Sequence, residues 1–155
     1  MTTGAIFDPS GQYRYLLWRE WDYDAPRMTF VMLNPSTADA TRDDPTIRRC
    51  ISFARKWAYG SLDVVNLFAY RATDPAVLAR AEDPIGPENE WYLRRSIKSA
   101  DKVVLAWGNH GALRRQYAAF QQAFPELKPF CLGLTQTGQP KHPLYVAINA
   151  SLVPY

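Results

Sequence analysis

Residues 29–33, Thr-Phe-Val-Met-Leu, show no polar alternation and run directly into Asn34-Pro35-Ser36-Thr37. A strand with one face in water alternates apolar and polar side chains, whereas a strand covered on both faces reads as a continuous apolar run. This segment therefore needs packing above and below, the environment of an inner strand in an α/β sheet. The break after it is equally informative. Proline cannot donate to a strand ladder, and Asn, Ser and Thr favour turns, so the chain leaves the sheet abruptly at a polar cluster.

The rest of the chain repeats this alternation. Leu62–Val65, Lys102–Ala106 and Phe130–Leu132 are further short apolar runs, with helical patterns between them. Asp43-Asp44-Pro45 opens a first helix with an acidic N-cap and a proline in its first turn. Ile47, Cys50, Ile51, Ala54, Trp57 and Ala58 share one face of that helix, Arg48, Arg49, Arg55 and Lys56 fall largely on the other, and Gly60 closes it. Gly86-Pro87 opens a second helix that carries Leu93 and Ile97 inward. Leu113, Tyr117, Phe120 and Phe124 recur at helical spacing until Pro125 stops a third. Tyr13–Trp18 follows the turn residues Asp8-Pro9-Ser10-Gly11, and its aromatic, β-prone composition predicts an antiparallel edge. The expected fold is α/β: a three-layer sandwich with a roughly four-stranded parallel core sheet and an N-terminal antiparallel β addition, as one domain over residues 1–155.

Composition sets the functional bounds. With 47% hydrophobic and 21% charged residues the chain has the make-up of an ordinary soluble globular protein. Eighteen Lys and Arg against fifteen Asp and Glu give a net charge of +3, which permits a polyanionic partner without requiring one. Cys50 and Cys131 have no partners at metal-ligand spacing and read as small buried apolar residues. No stretch resembles a secretion signal or approaches the roughly 18 apolar residues of a membrane span, so the expectation is a cytoplasmic protein without membrane contact. A Gly-rich phosphate loop, HExxH, GxSxG and CxxC are all missing, and no cofactor or metal is implied. Oligomeric state is open.

In an open parallel sheet, ligands bind outside the carboxyl ends of the strands. Every polar cluster of this chain falls at such an end: Asn34–Thr37, Asn66–Arg71, Trp107–Gly111 and Thr135–Pro143. Asn34, Asn66 and Asn109 each present a donor beside an acceptor, which suits a nucleobase edge or another planar amide. Phe68, Tyr70 and Trp107 offer faces for such a ring, and His142 offers a donor to an anion developing on a leaving group. The candidate catalytic residues are Asn34 and His142; the candidate substrate-binding residues are Pro35, Ser36, Asn66, Phe68, Trp107, Asn109 and Lys141.

Each of these has a structural alternative. Asn34-Pro35 reads equally as a strand-capping turn, and Ser36-Thr37 as a loop or cap rather than a nucleophile. Asp39, Asp43 and Asp44 suit backbone amides near a helix start better than a metal. His110 suits a cap or the surface, and Phe68, Tyr70 and Trp107 also suit the core. Arg48-Arg49, Arg94-Arg95 and Arg114-Arg115 read as solvated helix faces unless they align as a nucleic-acid track.

The motifs "MLNPSTAD", "DDPTIRRC", "VVNLFAYRATDP", "DPIGPEN", "AWGNHG" and "GQPKHPLY", in this order over almost the whole chain, resemble the family called domain of unknown function 1643. That family carries no assigned activity. A second resemblance is to the uracil-DNA glycosylase superfamily, a three-layer α/β fold with an Asn-Pro or Asp-Pro after its first core strand, a base-reading Asn after a later strand and a His-Pro after the last. Asn34-Pro35, Asn66 and His142-Pro143 occupy comparable places in order. The resemblance implies that Asn34 positions a water, Asn66 hydrogen-bonds a flipped base, Phe68 stacks on it and His142 stabilises the departing base. The chain departs from that pattern at Leu33, at Asn34 where some members carry a carboxylate, and at Leu144 where a serine commonly follows the proline. Three readings stand at this point: a glycosylase-like enzyme acting on a base in nucleic acid, a small-molecule enzyme of nucleobase or nucleoside metabolism, and a non-catalytic module that binds nucleic acid or a partner.

Overall fold

A computed structural model describes residues 1–155. In chain order the elements are β1 (Thr2–Phe7), β2 (Arg14–Glu20), β3 (Arg27–Met32), α1 (Pro45–Lys56), β4 (Ser61–Asn66), α2 (Pro75–Arg80), α3 (Asn89–Ser99), β5 (Lys102–Leu105), α4 (Gln116–Ala123), β6 (Phe130–Cys131) and β7 (Val153–Pro154). The fold is mixed α/β, a seven-stranded sheet in the order β1-β2-β4-β3-β5-β6-β7. β3 is central, pairing in parallel with β4 on one edge and β5 on the other. β5 pairs in parallel with the two-residue β6, while β1, β2 and β7 join antiparallel at the two flanks. No helix is long and apolar enough to cross a membrane.

The continuous apolar run of β3 is explained by helices on both sides of it. Met28, Phe30 and Met32 join Ile47, Cys50 and Phe53 of α1 in one hydrophobic cluster. Val31 joins Leu78 of α2, Leu93 of α3 and Phe120 of α4 in the other. Each buried side chain of this size contributes about 1.5–3 kcal/mol, and a slip of one residue would exchange the two faces. The register is therefore firmly set, with Met32 opposite Asn66 and Val31 opposite Leu105. The strand ends form an even rim.

Several local expectations change in the structure. The third helix begins at Gln116, not near Leu113, because Arg114 and Arg115 both adopt left-handed backbone (φ 51° and 52°) and break the chain from a preceding 3-10 segment. α1 ends at Lys56, with Ala58 in the left-handed turn (φ 63°) rather than Gly60. Gly60 is required for a different reason: a Cβ there would lie 2.0 Å from the Asp22 carbonyl oxygen. α2 opens on Asp74-Pro75, the same cap-and-proline signal as α1, and Asp74 accepts the Ala76 N–H at 2.9 Å.

Arg19 of β2 links the sheet to the segment before α1. It is almost fully buried, pairs with Asp43 at 2.8 Å and donates to the carbonyls of Asp39 at 2.7 Å and Trp18 at 2.8 Å. The loop is thus pinned over the sheet, and the start of α1 comes to rest at the rim.

Candidate functional site

Where β3 ends, Asn34 turns the chain with its side chain. Its Nδ2 donates to the carbonyls of Ala72 at 2.8 Å, Pro35 at 3.1 Å and Tyr70 at 3.3 Å. The Ala72 N–H in turn donates to the Pro35 carbonyl at 3.0 Å. One amide therefore fastens the loop after β3 to the loop after β4. The capping alternative and the site alternative meet in the same residue, because Asn34 also lines the cleft, with no protein group bonded to its Oδ1.

That cleft consists of two adjoining cavities at the carboxyl ends of the strands. The inner one, about 240 Å³, includes Arg14, Asn34, Ser36, Asp44, Asn66 and His142 in its wall. The outer one, about 640 Å³, includes Asn34, Trp107, Asn109, His110, Lys141 and His142. Leu33, Asn34, Thr73, His142 and Tyr145 line both, so the cavities share a wall. Pro35 and Phe68 are not brought there. Phe68 is 0% exposed within the cluster under α2 and α3, and a ring with no free face has none to offer a ligand. Trp107 is also buried, at 1%, but sits at the outer cavity with its Nε1 donating to Gln139 Oε1 at 2.8 Å. Asn109 Oδ1 accepts the hydroxyls of Thr135 at 2.6 Å and Thr137 at 2.8 Å, which leaves its amide NH2 as the free end.

Asn66, the last residue of β4, is the opposite of Asn34. It is 1% exposed, and neither its Oδ1 nor its Nδ2 has a hydrogen-bond partner. Its backbone is firmly held, since Asn89 Nδ2 donates to its carbonyl at 2.9 Å. A buried polar group without a partner costs on the order of 1–3 kcal/mol. Asn66 belongs to the wall of the inner cavity.

Two features of the inner wall escape sequence reasoning. Arg14, at the start of β2, is 2% exposed; its Nη1 donates to the Ala38 carbonyl at 3.0 Å, and its Nε has no partner. Burial lowers its pKa to about 10, opposed by the Asp44 carboxylate and reinforced by the Arg71 and Arg19 cations. Asp44 is the expected N-cap, accepting from Ile47 N at 2.9 Å, and it also faces the cavity. The only signal for Arg14 was a charge opening an aromatic strand, "RYLLW".

His142 caps the turn Pro143–Tyr145, its Nδ1 accepting the Leu144 N–H at 3.2 Å. The proton of the neutral ring is thereby placed on Nε2, leaving a donor for the cleft. Burial holds its pKa below the usual 6.5, with Asp44 opposing. Asp39, by contrast, accepts the Thr41 and Arg42 amides in a local turn. No group of three or more His, Cys, Asp or Glu side chains is placed to hold a metal ion.

At least one arginine of each pair is engaged by the protein itself: Arg49 with the Val146 carbonyl, Arg94 with Glu90, and Arg114 with the Ala79 and Ala81 carbonyls.

Residues 14–144 match the family described as Protein of unknown function (DUF1643). The chain belongs to this family. No curated protein and no solved structure matches it. The matched span of this DUF1643 member runs from Arg14 to Leu144, both in the inner wall, so it encloses every cleft residue named above except Tyr145.

Two outcomes follow from these contacts. Asn34→Asp replaces a donor to three carbonyls with a carboxylate facing them, and chemical denaturation should register a loss of roughly 2–4 kcal/mol at neutral pH; an equally stable variant would show that the amide does not hold the loops. For His142 the folded-state pKa lies below the unfolded 6.5, so the unfolded chain binds the proton more readily. Its contribution is complete above pH 6.5 and is lost as pH falls from there through the folded value. Melting profiles across this window should fall more steeply for wild type than for His142→Asn, and parallel profiles would contradict the assignment.

Proposed function

We propose that this DUF1643 protein binds a planar, amide-edged ring of the nucleobase class in the inner cavity and acts on it as a glycosylase-like hydrolase. The observation that carries the reading is the Asn66 carboxamide, buried at the cavity wall with donor and acceptor both unpaired. A ring that presents a C=O beside an N–H satisfies both atoms in one plane. The reading takes the sheet as a three-layer sandwich with a four-stranded parallel core, whose strand ends form the rim where such ligands bind.

Dimensions support the assignment of parts. At about 240 Å³ the inner cavity falls below the roughly 300–1,000 Å³ of pockets for drug-sized ligands, so it suits a single small ring. The outer cavity of about 640 Å³ receives the sugar and what is attached to it. His142 and Asn34 stand where the two meet.

The chemistry assigned to this arrangement is hydrolysis of the bond between ring and sugar. The ring leaves with both electrons of the C–N bond, stabilised as an anion by the His142 Nε2–H. Water, held by Asn34 Oδ1, adds to the sugar carbon, and its proton passes to the released ring. Asn34 cannot itself take that proton; with its NH2 locked on three carbonyls it acts only by orienting the water. Asn66 binds the ring throughout.

Base release from single- and double-stranded oligonucleotides with uracil, mismatched, deaminated, alkylated or carboxylate-bearing bases, followed by mass spectrometry, tests the proposal. Wild type should release a free base, and Asn66→Ala should lower the rate about a hundredfold or more, consistent with loss of substrate positioning. No release by folded wild type across the panel would overturn the hydrolase assignment, and release undiminished in Asn66→Ala would overturn the role of Asn66.

A further inference from the structure

Arg14 stands in the inner wall as a buried cation with no ion-pair partner in contact. None of the ion pairs in the structure includes it, and its Nε is buried without a partner. The acid on the same wall, Asp44, offsets part of this charge without hydrogen-bonding to Arg14, its oxygens accepting from Ile47 N at 2.9 Å and Ala38 N at 3.3 Å. Of the neighbouring cations, Arg19 is neutralised by Asp43. Arg71 is not: its Nη1 donates to the Gly11 carbonyl, its Nε is buried and unpartnered, and its guanidinium lies over the Phe7 ring. A buried charge is costly unless something pairs with it, and the open side of Arg14 is the cavity.

We infer that the ring bound in the inner cavity is negatively charged, bearing a carboxylate or an ionised edge, and that Arg14 is the residue that selects it. This rests on the planar-ring reading of the cleft and adds the charge of the substrate to it. A simple oxyanion meets the requirements of the site less well: sulfate offers Arg14 an acceptor but leaves Asn66 Oδ1 without a donor, and hydrogen phosphate, whose O–H can donate, lacks the coplanar C=O and N–H that pair with a carboxamide in one plane. A neutral amide-edged ring satisfies Asn66 and leaves Arg14 unpaired. A ring with an N–H beside a C=O and an anionic group alongside satisfies both, and the flat guanidinium matches a flat carboxylate.

Two rings of one shape separate charge from fit: uracil-6-carboxylate and uracil-6-carboxamide. Their binding to wild type, Arg14→Gln and Arg14→Lys, each shown by thermal melting to be folded, is measured by titration calorimetry. The carboxylate should bind wild type roughly tenfold to hundredfold more tightly than the carboxamide, the range expected of a charge-assisted contact. Arg14→Gln should erase that preference and Arg14→Lys should retain part of it. Equal or tighter binding of the carboxamide to wild type overturns the inference and leaves the planar-ring pocket standing, a result that needs no variant to fold. A preference that survives in Arg14→Gln likewise overturns the role of Arg14. Binding of neither ring overturns both the inference and the pocket reading beneath it.

Discussion

The cleft depends on one side-chain amide at the end of the central strand. Asn34 Nδ2 serves three carbonyls, those of Ala72, Pro35 and Tyr70, and so joins the loops that follow two neighbouring strands. Without such a donor, those carbonyls would need water or a rearranged chain. The neighbouring rim amide is in the contrasting state. Asn66 is fixed through its backbone carbonyl by Asn89, while its own side chain is bonded to nothing. Two asparagines at the ends of paired strands therefore differ in state: one fastens the loops of the cleft, and the other stands at its wall with its side chain unpaired.

Electrostatics gives the cleft a direction. Its inner end carries the buried cation Arg14 with Arg71 behind it, and Asp44 tempers that charge while its oxygens remain on backbone amides. His142, shared by the inner and outer cavities, is kept neutral by burial with its proton on Nε2. Away from bulk water each of these donors acts more strongly than it would at the surface. The consequence is a cleft that presents the Arg14 cation in one cavity and the His142 donor where the two cavities meet.

Much of this arrangement is legible in the chain. Unbroken hydrophobicity in β3 requires cover on both faces, and the two clusters built on Met28, Phe30 and Val31 provide it. Parallel pairing sends the polar loops to one rim, which is why Asn34, Ser36, Asn66, Trp107, Asn109, Lys141 and His142 all reach the cleft. Phe68 does not, because the chain stays buried through the end of β4 and beyond it, from Ser61 to Ala69, and an aromatic in a loop carries no mark of whether it faces a cleft or the core. Arg14 was illegible for a related reason: a charged residue at the start of a strand reads as solvent-facing, and only the loop carrying Ala38, folded over it, makes it an inner-wall residue. The break at Arg114 and Arg115 left no trace in the helical periodicity either, since it arises from two non-glycine residues in left-handed backbone.

The most direct measurement is the side-chain NMR signal of Asn66 in protein labelled with 15N-asparagine, followed while uracil-6-carboxylate is added. The account predicts that the Asn66 Nδ2 resonances move as the site fills, while the Asn34 Nδ2 resonances, held on three carbonyls, shift far less. Binding that leaves the Asn66 signals unmoved would contradict it.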